Sequence, residues 1–162
     1  FDLRGNATLA DLTTDADITI ASGQTGRLAG TVINDGTIAL ESTSGTTSLS
    51  ILGDTTLTGS GSVQMSNEAN NLITGGSGST LIHGADHSIS GSGRIGNSVI
   101  GLDNAGTIEA VGSEGLTLNL RTIDDVTRRN TGTLRATDGS MLTISSGTVE
   151  NAFGTTAGTI EA

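Results

Sequence analysis

The chain has 162 residues, with 25 Gly, 27 Thr, 17 acidic residues, seven Arg and no Lys, for a net charge of −10. This balance excludes a phosphate-binding face, which needs clustered cations, and no apolar run approaches membrane-spanning length. Hydrophobic residues make up 33% and aromatics 1%, without Cys, Pro, Trp or Tyr, so any core must be thin and aliphatic.

Disorder would suit the polarity, but only 15% of residues are charged, and Ile and Leu recur at short regular intervals. The chain begins at Phe1 without an initiator Met and ends within a recurring phrase, so it is expected to be an excerpt or processed piece of something longer.

In chain order, apolar alternation is first clear at Ile18 and Ile20, and a period of two is the strand signature. The phrase Asn34-Asp35-Gly36-Thr37-Ile38-Ala39-Leu40 follows, then the alternating pair Leu49 and Ile51. A different phrase, Gly59-Ser60-Gly61-Ser62-Val63, returns as Gly91-Ser92-Gly93-Arg94-Ile95. The first phrase returns as Asn104-Ala105-Gly106-Thr107-Ile108-Glu109-Ala110 and as Asn130-Thr131-Gly132-Thr133-Leu134-Arg135-Ala136. It ends as Gly158-Thr159-Ile160-Glu161-Ala162. Gly106, Gly132 and Gly158 are 26 residues apart, and Leu116 and Leu118 advance by 26 to Leu142 and Ile144. Gly36 to Gly106 is 70 residues, not a multiple of 26. The chain therefore reads as one continuous unit over 1–162, with looser coils over 1–100 and regular 26-residue coils over 101–162.

No window follows the i, i+3, i+4, i+7 pattern of an amphipathic helix. Short strands between Gly, Asn, Asp and Ser turns, about three per repeat, can bury their inward faces only by stacking. The predicted fold is all-β, a single-stranded parallel β-helix (β-solenoid), right-handed by the crossover preference. About six coils at about 4.8 Å each would make it roughly 30 Å long. Ile108, Leu134 and Ile160 should then share one inward column, with Leu116 under Leu142 and Leu118 under Ile144. Alternation turns Glu109, Arg135 and Glu161 outward as a minus, plus, minus ladder, beside a column of Thr107, Thr133 and Thr159. Asn34, Asn104 and Asn130, with Gly36, Gly106, Gly132 and Gly158, are expected at turns, where Gly and Asn tolerate positive φ. The Asn side chains either stack as an amide ladder or serve as ordinary turn residues.

The residues from Leu81 to Ala162 resemble repeats of large secreted bacterial β-solenoid proteins, the filamentous-haemagglutinin-like and autotransporter-like adhesins. The resemblance rests on Ile89-Ser90-Gly91-Ser92-Gly93-Arg94-Ile95-Gly96-Asn97 and on the phrases at Asn104 and Asn130. It implies export, an extracellular or bacterial cell-surface location, and roles in attachment or biofilm matrix. It carries over no catalytic or binding residue, since the matching positions are turns and core. The expected partners are neighbouring copies through the solenoid ends, and surfaces or glycans, without nucleic acid or membrane insertion. No catalytic residue, cofactor or metal is expected.

Four other patterns in the chain bear on chemistry. Gly75-Gly76-Ser77-Gly78-Ser79-Thr80-Leu81-Ile82 resembles a nonapeptide calcium repeat, but Thr80 replaces the Asp that a hard cation wants, so it reads as a flexible loop. His83 and His87, around Asp86, lie roughly 13 Å apart on an extended strand, too far to share one metal unless a turn at Gly84 brings them closer, and read as solvent-exposed polar residues. Asp124, Asp125, Arg128 and Arg129 form the densest charge cluster. Paired carboxylates beside cations suit a carbohydrate-active β-helix of the lyase or hydrolase kind, which is the alternative to a structural or adhesive rod. An ice-binding array would need the same Thr-x-Thr in every coil, and Thr117-Leu118-Asn119 gives way to Thr143-Ile144-Ser145.

Overall fold

A computed structural model describes residues 1–123, 127–146 and 148–162. Strands run parallel from coil to coil in about six turns, with no helix among the described residues. Three faces alternate along the chain. The first is an eight-stranded sheet of Asp2–Leu3, Ile18–Ala21, Thr37–Glu41, Ser62–Met65, Ser88–Gly91, Thr107–Ala110, Thr133–Ala136 and Thr159–Glu161. The second and third faces share the long strands Thr8–Thr14, Thr25–Asn34 and Thr47–Thr58, each of which bends from one face onto the next. Beyond Thr58 the two faces separate. The second continues as Asn71–Gly75, Gly93–Ile95, Leu116–Asn119 and Leu142–Ser146, and the third as Thr80–His83, Gly101–Asn104 and Arg128–Asn130.

The bend in the early coils is a bulge of one to three residues. Register shifts between Ala10 and Leu12 and between Ala29 and Thr31, with Asp11 at φ 47 and Gly30 at φ 63. An extra residue re-aims the strand without ending it. Later coils place four or more residues at this corner, and the strand splits.

Variable corners explain the irregular spacing. On the first face Ile18 pairs with Ile38, Ile38 with Val63, Val63 with Ile89, and Ile89 with Ile108. Ile108 then pairs with Leu134, and Leu134 with Ile160. The 70 residues from Gly36 to Gly106 are thus three coils of unequal length, and a 26-residue coil already separates Val63 from Ile89.

Inward side chains fill the shaft with aliphatics. Ile20, Leu28, Leu40, Ile51, Leu57, Val63, Ile89, Ile95, Leu102, Ile108, Leu118 and Leu134 are all fully buried, and burial of each such side chain stabilises by about 1.5–3 kcal/mol. Leu116 pairs with Leu142 and Leu118 with Ile144. Ile144 and Ile160, in the last coil, are 41% and 56% exposed, because no strand covers them.

Candidate functional site

The outer surface of the later coils is built from stacked columns. Thr107, Thr133 and Thr159 are register partners, as are Glu109, Arg135 and Glu161. Arg135 Nη2 donates to Glu109 Oε2 at 2.9 Å, and Thr137 Oγ1 donates to Glu109 Oε1 at 2.8 Å. The bond from Arg135, with that from Thr137, holds the Glu109 carboxyl below its usual range. Glu109 in turn raises Arg135, and the charge of Glu161 adds to this.

A second ladder of the same signs runs along the third face. Asp103 pairs in register with Arg129, and Arg129 bridges to Glu150. Arg129 donates from Nε to Asp103 Oδ1 at 3.2 Å and from Nη2 to Asp103 Oδ2, and its guanidinium lies 3.9 Å over the Phe153 ring. Proximity in sequence groups Arg129 with Asp124, Asp125 and Arg128, whereas its carboxylate partner Asp103 lies one coil away. The signal was nonetheless present: if Asn104 stacks on Asn130, then Asp103 must stack on Arg129.

Arg128 also has structural engagements, donating to the main-chain carbonyls of Arg121 at 3.0 Å, Ile123 at 2.9 Å and Thr148 at 3.2 Å. The carboxylate half of that cluster, Asp124 and Asp125, lies outside the described residues. The Gly-rich segment turns the corner between Asn71–Gly75 and Thr80–His83, and Thr80 N donates to Asp54 Oδ1 at 2.8 Å.

The histidines overturn their sequence reading. His83 and His87 are each 1% exposed and sit in contact, Nε2 of His83 3.0 Å from Nδ1 of His87. The strand Thr80–His83 ends at His83, and the turn through Gly84 folds His87 back beside it. Their rings are edge to face, with centroids 5.2 Å apart.

They are the middle of a buried polar seam along the corner between the third and first faces. Asn34 Nδ2 lies 3.1 Å from His87 Nε2, and His83 Nδ1 lies 2.6 Å from Asn104 Oδ1. Asn104 Nδ2 donates to Asn130 Oδ1 at 2.7 Å, Asn130 Nδ2 to Asn151 Oδ1 at 2.6 Å, and Asn151 Nδ2 to the Gly158 carbonyl at 2.9 Å. Asn104 and Asn130 therefore form an amide ladder. Asn34 joins it only through the histidines, because His83, not Asn34, is the register partner of Asn104. The turn at Gly84 does bring the rings together, as the sequence allowed; their burial was not legible, because two polar residues beside Asp86 carry no local sign of an inward corner.

The corner glycines also differ from expectation in their reason. Neither Gly36, Gly106, Gly132 nor Gly158 has positive φ, and nor do Asn34, Asn104 and Asn130. Close approach requires glycine instead. A Cβ at Gly106 would stand 2.7 Å from His83 Cε1, and one at Gly61 2.8 Å from Asn34 Nδ2.

Among the described residues, no group of three or more His, Cys, Asp or Glu side chains converges as a metal site would, and no helix is long and apolar enough to cross a membrane. Searches against known protein families, curated proteins and solved structures find no significant match.

Proposed function

We propose that the chain is a structural and adhesive rod segment of a bacterial surface or matrix protein, acting outside the cell by holding shape and presenting its faces. The observation that carries this reading is the continuity of the outward columns. Thr37, Ser62, Ser88, Thr107, Thr133 and Thr159 follow one another as register partners along one face. Such a regular hydroxyl column presents the same chemistry on six successive strands, which suits repeated weak contacts with a surface or glycan.

End-to-end association would extend the rod. The last coil leaves Met141, Ile144 and Ile160 exposed beside unpaired strand edges, and such edges template the addition of another coil. A further coil, from a longer parent or a second copy, would bury them.

Sedimentation velocity across a wide concentration range, with binding assays on bacterial cells and polysaccharide-coated surfaces, tests the proposal. The expected outcome is elongated species and retention on at least one surface. Shortening of an acidic polysaccharide incubated with the protein, abolished by Asp124→Asn/Asp125→Asn, would replace the rod reading with the enzyme reading.

A further inference from the structure

The direction of the hydrogen bonds along the seam determines where the imidazole protons sit. Asn104 Nδ2 already donates to the Gly106 carbonyl at 3.1 Å and to Asn130 Oδ1, so its Oδ1 accepts, and His83 Nδ1 must carry a proton. In a neutral ring His83 Nε2 then accepts, and His87 Nδ1 donates to it. His87 Nε2 is left to accept from Asn34 Nδ2, which also serves the carbonyls of Gly36 at 3.0 Å and Ser62 at 3.3 Å. Every donor points the same way, from Asn34 to Gly158.

Such a chain has no place for another proton. On His83 Nε2 it would face the N–H of His87, and on His87 Nε2 it would face the amide N–H of Asn34. Turning the Asn34 amide over would present Oδ1 but break its bonds to the Gly36 and Ser62 carbonyls. That Oδ1 is buried without a partner, so the amide is held by its donor side. We propose that the His83–His87 pair is an acid-sensitive clasp: the corner seam stays closed only while both rings are neutral, and proton uptake releases the coils it joins.

Among the described residues, no carboxylate is placed to offset the charge. Asp35 and Asp86, on the turns flanking the rings, are exposed, as is Asp17 on the preceding coil, and Asp103 beside Asn104 is turned outward to Arg129. Asp35 and Asp17 accept instead from Ser60 N and Thr37 N. Burial pushes both rings down to about 4, helped for His87 by repulsion from His83. A depressed histidine contributes stability that is fully present above its unfolded pKa of about 6.5 and is lost as pH falls toward the folded value.

Two measurements test the clasp. In the 15N-labelled native protein at pH 8, both rings should be Nδ1–H tautomers, and neither should titrate above pH 5. Denaturant unfolding should show an unfolding constant rising by about 30-fold per ring between pH 8 and pH 5. His83→Gln/His87→Gln, which keeps amide hydrogen bonding but does not titrate, should lose that dependence. If this variant does not fold, the tautomers and titration of the native rings decide alone. An Nε2–H tautomer at either ring, titration near pH 6.5 in the folded protein, or the same pH dependence in a folded double variant would overturn the proposal.

Discussion

Arg135 reaches back 26 residues to Glu109, and its guanidinium bonds the carboxylate at 2.9 Å across one coil step. Glu161 stands on its other side in register. Arg135→Glu would place three carboxylates in one column. Exposed cross-strand ion pairs contribute little each and are screened by salt, so chemical denaturation should show a small drop in midpoint at low salt. Raising the ionic strength should recover part of it. An unchanged midpoint at both salt concentrations would mean that the column does not sense its own charges.

Leu134 and Ile160 are register partners with opposite exposure, 0% against 56%. Leu134→Asp buries a charge among aliphatics without a partner and should cost about 3–5 kcal/mol, the scale for an uncompensated buried charge. Ile160→Asp should cost well under about 1 kcal/mol in the isolated chain. Thermal unfolding of the two variants side by side checks the contrast, and equal losses would contradict it.

If copies associate end to end, Ile144→Arg should weaken them, because it sets a charge where an apolar column ends. The measurement is the shift of the sedimentation profile toward monomer at fixed concentration. The circular dichroism of the monomer should not change, since Ile144 is 41% exposed. A profile identical to that of the parent chain would remove this end from the contact.

Gly106→Ala inserts a methyl against the main-chain carbonyls of Gly84 and His87 and 2.7 Å from His83 Cε1. The ring cannot retreat without breaking its bonds to Asn104 and His87. Overpacking of this kind costs about 1–3 kcal/mol, and the His83 ring resonances should shift as the seam opens. Gly139→Ala offers a comparison: nothing lies near its Cβ, and its φ of +73 brings backbone strain alone.

Carboxylates and histidines should separate along the pH axis. Glu109 and Asp35 are both depressed, Glu109 first by the Arg135 bond and Asp35 first by the Ser60 N–H. A depressed carboxylate contributes stability that is present above its unfolded pKa, near 4, and lost as pH falls through the folded value. Stability lost between about pH 6.5 and 4 should thus belong to the seam, and loss below about pH 4 to Glu109 and Asp35. Glu109→Gln should reduce only the lower step in denaturant midpoints taken at half-unit pH intervals.

Alternation along the chain determined which side of a strand faces the shaft. Ile18 and Ile20, Leu49 and Ile51, and Leu116 and Leu118 are inward for a local reason, since successive side chains point to opposite faces whatever the neighbouring coil does. The 26-residue advance also paired Ile108 with Leu134 and Glu109 with Arg135, because coils of equal length carry register in their numbering. Corners decided the rest. Their lengths change from a single bulged residue at Asp11 to three at Gly53 and four between Gly75 and Thr80, so spacing in the first hundred residues does not report register. The contact between His83 and His87 depends on a turn folding one ring onto the other. Their seam with Asn34 depends on an intervening coil that offers glycine, not a side chain, at Gly59 and Gly61. Such contacts join residues 21 to 53 positions apart, and only the stacked coils bring them within hydrogen-bonding distance.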